Sequence, residues 1–114
     1  MAAKYADYDK LLDVAKKNPS ASWAPRLDWT VGMFCYQRSD YPNAQKAFTQ
    51  LLTDYPTTQY APKALFRLGD AAEGNGDWHT AREAYSRYIE EFPQGEDAAI
   101  MRKRLELINY HHGK

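Results

Sequence analysis

Apolar residues follow a helical rhythm along most of the chain. Tyr41, Ala44, Ala47, Phe48, Leu51, Leu52 and Tyr55 recur at steps of three and four, which places them on one face of an α-helix. Trp78, Ala81, Ala84, Tyr85, Tyr88, Ile89 and Phe92 repeat that spacing at an offset of 37 positions, from Tyr41 to Trp78. The same offset aligns Pro56 with Pro93. Taken backwards it aligns Pro56 with Pro19, Gly69 with Gly32, Leu68 with Val31, Tyr60 with Trp23, and Ala61-Pro62 with Ala24-Pro25. Three units are present, the first and last incomplete.

The punctuation agrees with the rhythm. Asp40 and Asp77 stand where a side-chain oxygen caps the free N–H groups of a helix start. Gly76 supplies a left-handed stop, Pro25 and Pro62 fall in first turns, and Pro56 and Pro93 follow helix ends. The pattern predicts helices over 3–17, 23–38, 41–54, 59–74, 78–91 and 96–110, in one domain spanning 1–114. That domain divides into a half repeat at 3–19, full repeats at 23–56 and 59–93, and a terminal helix. No alternating apolar run of four or more residues predicts a strand. The expected class is therefore all-α: a right-handed solenoid of antiparallel helix pairs. In it, Gly32 and Gly69, with Ala44 and Ala81, remove bulk where paired helices approach, while Phe48 and Tyr85 fill the space between neighbouring pairs.

Gly32, Tyr41, Ala44, Phe48 and Pro56, and then Gly69, Trp78, Ala81, Tyr85 and Pro93, form a pattern that resembles the tetratricopeptide repeat, whose usual period is about 34 residues. The aromatic-proline pairs Tyr55-Pro56 and Phe92-Pro93, each followed by a small polar stretch and an alanine-rich helix start, are similar to the repeats of bacterial cell-envelope proteins. The Tol-Pal coordinator and the barrel-assembly lipoprotein of the outer membrane are of that type. The resemblance covers roughly residues 19–110. Asp28 departs from it, standing where the repeat carries a bulky apolar residue, and so do Cys35 and Ala72, where it favours tyrosine. It implies a non-enzymatic scaffold that is periplasmic or outer-membrane associated, with the cytoplasm as the alternative.

Composition narrows the function classes. Fifteen Lys and Arg against fifteen Asp and Glu leave no net charge, so nothing supplies the phosphate attraction on which nucleic-acid binding rests. No apolar run approaches the roughly 18 residues of a membrane span. The single cysteine, Cys35, cannot form an intrachain disulfide and reads as a buried structural thiol. His79, His111 and His112 hold no metal-ligand spacing with one another or with Cys35, and His111-His112 reads as a frayed helix end. Gly74-Asn75-Gly76 is a turn between helices rather than a phosphate loop. No catalytic constellation, cofactor or metal is expected.

What remains is a surface. In the repeat, the first helix of each pair lines a concave side, through positions three and six before the glycine and one, four and five after it. Carried onto this chain, the resemblance implies Arg26, Trp29, Met33, Tyr36 and Gln37 in one unit and Lys63, Phe66, Asp70 and Glu73 in the next. Ile100, Lys103, Leu107 and Tyr110 follow on the last helix. Such a mix of aromatic anchors and charged rims suits a peptide or partner segment. The lysine/asparagine clamp for a C-terminal carboxylate is not reproduced at these positions. By the 37-residue offset, helix 3–17 stands second in a pair whose first member is missing, which leaves Tyr5, Tyr8 and Leu12 without cover. Either the chain is a piece of a longer array or this helix mediates homo-oligomerisation. Lys4, Asp7 and Lys10, where the repeat is apolar, also suit a modified cap.

Overall fold

The computed structural model describes residues 7–112. It holds six helices: α1 (Tyr8–Lys17), α2 (Ala24–Gln37), α3 (Tyr41–Asp54), α4 (Ala61–Gly74), α5 (Trp78–Glu91) and α6 (Ala98–His112), with no strand among the described residues. Each helix packs against its neighbours in sequence, so the chain is a helical solenoid. Phe48, Leu51, Leu65, Tyr85, Tyr88 and Met101 are its largest fully buried apolar side chains.

Local chemistry sets the helix ends. The Asp7, Asp40 and Asp77 carboxylates accept from the amides of Lys10, Asn43 and Thr80. The Asp7 cap starts α1 at Tyr8; residues 3–6 of the expected helix lie outside the described residues. α4 and α6 begin at Ala61 and Ala98, later than the pattern predicts. The amide of Ala61 bonds to the Thr58 carbonyl and that of Ala98 to the Gly95 carbonyl, which closes a turn ahead of each helix. α6 extends to His112 instead of fraying: the His112 ring stacks on Trp78 with centroids 3.8 Å apart and planes 8° apart, and Arg82 donates to its carbonyl at 3.1 Å.

The turns after α2 and α4 both reverse the chain through a left-handed residue. Gly76 takes φ 73°, while its counterpart by the repeat offset, Ser39, takes φ 62°. A side chain in that region costs about 1–2 kcal/mol, of which the greater unfolded-state freedom of glycine offsets part. Ser39→Gly is therefore expected to stabilise the protein by about 0.5–1 kcal/mol, read as a rise in the midpoint of thermal unfolding.

The small residues act differently from the expectation. A Cβ added at Gly32 would lie 2.4 Å from the Phe48 ring, and one at Gly69 only 2.2 Å from the Tyr85 ring. Each glycine thus faces the aromatic of its own helix pair, and Phe48 and Tyr85 fill space within the pairs. Gly74 does more than turn the chain, because the Tyr41 ring lies over it at 2.6 Å from the position of a Cβ.

The two ends of the array also correct the reading. Leu12 and Ala15 of α1 are buried, so this helix is covered on the side facing α2 and α3. Its exposed apolar residues are Leu11 and Val14, 40% and 44% exposed, which align by the offset with the fully buried Phe48 and Leu51. On α6, Arg102, Glu106 and Asn109 occupy the places of Leu65, Gly69 and Ala72, so its outer face is polar where that of α4 is apolar.

Candidate functional site

Three alternate helices, α2, α4 and α6, meet around one carboxylate. Asp70 of α4, its side chain 10% exposed, accepts from the Tyr36 hydroxyl of α2 at 3.1 Å and from Arg67 Nη1 at 3.2 Å. It also accepts from the Tyr85 hydroxyl of α5 at 2.9 Å and from Arg104 Nη1 of α6. Tyr85 lies 2.5 Å from Glu73 Oε2 as well, so its single hydroxyl hydrogen faces two carboxylates. Burial first, and the Glu73 hydrogen bond next, push the Tyr85 phenol well above its ordinary range. The two guanidiniums lie over aromatic faces, Arg67 at 5.3 Å from the Tyr36 ring and 4.8 Å from Phe66, and Arg104 at 5.3 Å from Phe66. Beside this hub opens a cleft of about 400 Å³, lined by Tyr36, Tyr41, Asp70, Glu73, Arg104 and Leu107.

Of the residues that the sequence suggested, the structure brings Tyr36, Asp70, Glu73 and Leu107 together around the cleft. Trp29 is half-buried, stacked on Tyr60 at 5.5 Å and tilted against Phe48 at 5.7 Å, and Met33 packs partly against the core. Phe66 does not stand open as an anchor: it is 8% exposed beneath the two guanidiniums. Lys63 is not an unpaired rim cation either, since it binds Glu96 at 2.7 Å and lies 3.7 Å from Asp97. That hydrogen bond raises the Lys63 pKa and lowers that of Glu96. Arg26, Gln37, Ile100, Lys103 and Tyr110 are exposed and do not line the cleft.

The hub residues Arg67, Arg104 and Tyr85 and the cleft residue Tyr41 lay outside the sequence-based set. A signal for them exists. Tyr36 to Asp70 and Asp70 to Arg104 are both separated by 34 residues, three fewer than the repeat offset. Each contact therefore steps nearly one helical turn back along the next lining helix. Elsewhere, Cys35 is buried, and burial pushes its thiol up to about 11, so little thiolate forms near neutrality. Among the described residues, no three His, Cys, Asp or Glu side chains cluster as metal ligands, and no helix is long and apolar enough to cross a membrane.

The family model of the tetratricopeptide repeat matches residues 36–96, more than half of the 114 residues, and so includes Tyr36, Arg67, Asp70, Glu73 and Tyr85. The chain belongs to the tetratricopeptide repeat family. Comparison with curated proteins finds no match. Tetratricopeptide repeats are non-catalytic modules that mediate protein–protein interaction, and the lining helices of this one carry an open cleft joined to a fully bonded hub.

Proposed function

We propose that this tetratricopeptide repeat protein is a scaffold that holds a peptide or partner segment in the groove made by α2, α4 and α6. One observation carries the reading: Leu107 stands 51% exposed in a cleft whose other walls, Tyr36, Asp70 and Arg104, are already tied together. A preorganised wall loses little side-chain freedom when a ligand arrives, which leaves more of the contact energy as affinity. Leu107 and the Tyr36 and Tyr41 rings offer apolar contact, and Arg104 and Glu73 offer polar orientation at the rim. The aromatic-proline turns at Tyr55-Pro56 and Phe92-Pro93 support placing this scaffold in a bacterial cell-envelope complex.

The test is selection of binders from a displayed random-peptide library with the full chain. Enriched peptides are expected to lose about tenfold or more in affinity to Leu107→Ala, on the order of 1.4 kcal/mol, while the helical circular dichroism and melting midpoint stay those of the parent. Leu107 is half exposed and belongs neither to the buried core nor to the partly buried side chains packed on it, so the variant separates groove from fold. Peptides that bind the variant and the parent equally would refute the groove.

A further inference from the structure

The buried polar side-chain atoms without a hydrogen-bond partner among the described residues are Asp28 Oδ2 and Asp54 Oδ2. Both carboxylates belong to the region where α1 docks on α2 and α3. Asp28 is fully buried, and its other oxygen accepts from Gln50 Nε2 at 3.1 Å. The same nitrogen donates to the Leu12 carbonyl of α1 at 2.7 Å, so one amide group ties the backbone of α1 to the carboxylate of α2. The remaining ties are the buried Leu12 and Ala15, the Tyr8 ring tilted against Phe34, the Tyr55 hydroxyl donating to the Ala15 carbonyl at 3.4 Å, and two ion pairs, Lys46 with Asp9 and Lys16 with Asp54 at 3.9 Å.

A neutral Asp28 sits in this seam with one acceptor satisfied. An ionised one lacks the donors that water would supply, and a buried unpaired charge is among the least favourable arrangements in a protein. Water can reach it if α1 moves away. We propose that α1 is a proton-controlled flap: it stays docked while Asp28 is protonated and lifts from α2 and α3 when Asp28 ionises and takes up water.

The groups facing Asp28 from the packed elements are Lys16 of α1, Gln50 and Asp54 of α3, and Tyr55 just beyond it. Burial pushes the Asp28 carboxyl up to about 7, the Asp54 charge adds to this, and the Gln50 hydrogen bond and Lys16 ammonium oppose it. Once hydrated, the group returns to about 4. The docked state therefore binds the proton more tightly, and raising the pH favours lifting. The lifting equilibrium is flat below about pH 4, rises by up to about tenfold per pH unit towards 7, and levels off above it.

Hydrogen exchange at fixed temperature, corrected for the intrinsic rate at each pH, measures this directly. Protection of the amides from Leu12 to Lys16 is expected to fall by tens of fold between pH 5 and pH 8, while α4 amides from Leu65 to Ala72 stay protected. In Asp28→Asn the α1 protection becomes independent of pH. His79, His111 and His112 lie on α5 and α6 and remain in that variant, which therefore isolates the contribution of Asp28. Constant α1 protection in the parent, a pH dependence that survives Asp28→Asn, or an equal loss in α4 would overturn the flap. Should Asp28→Asn fail to fold, Asp54→Asn serves instead: removing the neighbouring charge must move the upper end of the transition to lower pH, and an unmoved transition also overturns it.

Discussion

Gly69→Ala is expected to destabilise this protein by about 2–3 kcal/mol, although the same substitution in an open helix stabilises by about 1 kcal/mol. The new methyl would lie 2.2 Å from Cε1 of Tyr85, well inside van der Waals contact. A ring can often slide away from such an intrusion. This one cannot slide cheaply, because it is fully buried and its hydroxyl is held by Asp70, Glu73 and Arg104. α4 and α5 must then separate, and the hub breaks or strains with them. Urea denaturation of parent and variant measures the difference, and Gly32→Ala serves as the internal comparison. Its methyl meets Phe48, a ring with no hydroxyl to anchor it, so a smaller loss is expected there. If Gly69→Ala were neutral or stabilising, the Tyr85 ring would not be fixed by its hydroxyl, and the rigidity assigned to the hub would fail.

The second large effect comes from the hub itself. Asp70→Ala removes the acceptor shared by Tyr36, Arg67, Tyr85 and Arg104 and leaves the buried Tyr85 hydroxyl to Glu73 and Arg104. The guanidiniums are about a third exposed and recover hydration, which limits their share of the loss. A destabilisation of about 2–3 kcal/mol is expected, set mainly by loss of the hydrogen bonds that Asp70 accepts from Tyr36 and Tyr85 and of its charge-assisted contacts with Arg67 and Arg104. Asp70→Asn keeps the shape and loses the charge, so it should fall between the parent and Asp70→Ala. Non-additivity is the sharper test. In a double-mutant cycle, Arg104→Ala should cost markedly less when Asp70 is already alanine, because the two residues act through one contact. Equal costs in both backgrounds would show that Arg104 contributes through its packing on Phe66 instead.

How much of this was legible beforehand varies with the range of the interaction involved. The aspartate caps, the proline positions and the left-handed Gly76 act over a few residues, and they appear in the structure where the pattern predicted them. Phe66 and Lys63 show the opposite. Their place in the repeat is that of concave-face residues, yet Phe66 is sealed by Arg67 and Arg104, and Lys63 is paired across to Glu96. Both outcomes depend on what the following helix brings over them, which alignment of one unit on another cannot supply. Asp28 is similar: a charged residue at an apolar place was visible, but the single amide linking it to the Leu12 carbonyl was not.

By itself, the order of residues determined that this chain forms six helices paired as tetratricopeptide repeats, because periodicity of three and four, caps and breakers are properties of neighbouring positions. Tertiary structure alone decided which side chains meet. Tyr36, Asp70 and Arg104 converge across successive lining helices at separations of 34 residues, although the repeat offset aligns none of them. Which residue of one lining helix reaches which of the next is a matter of shape between segments far apart in sequence, and aligning one unit on another does not contain it.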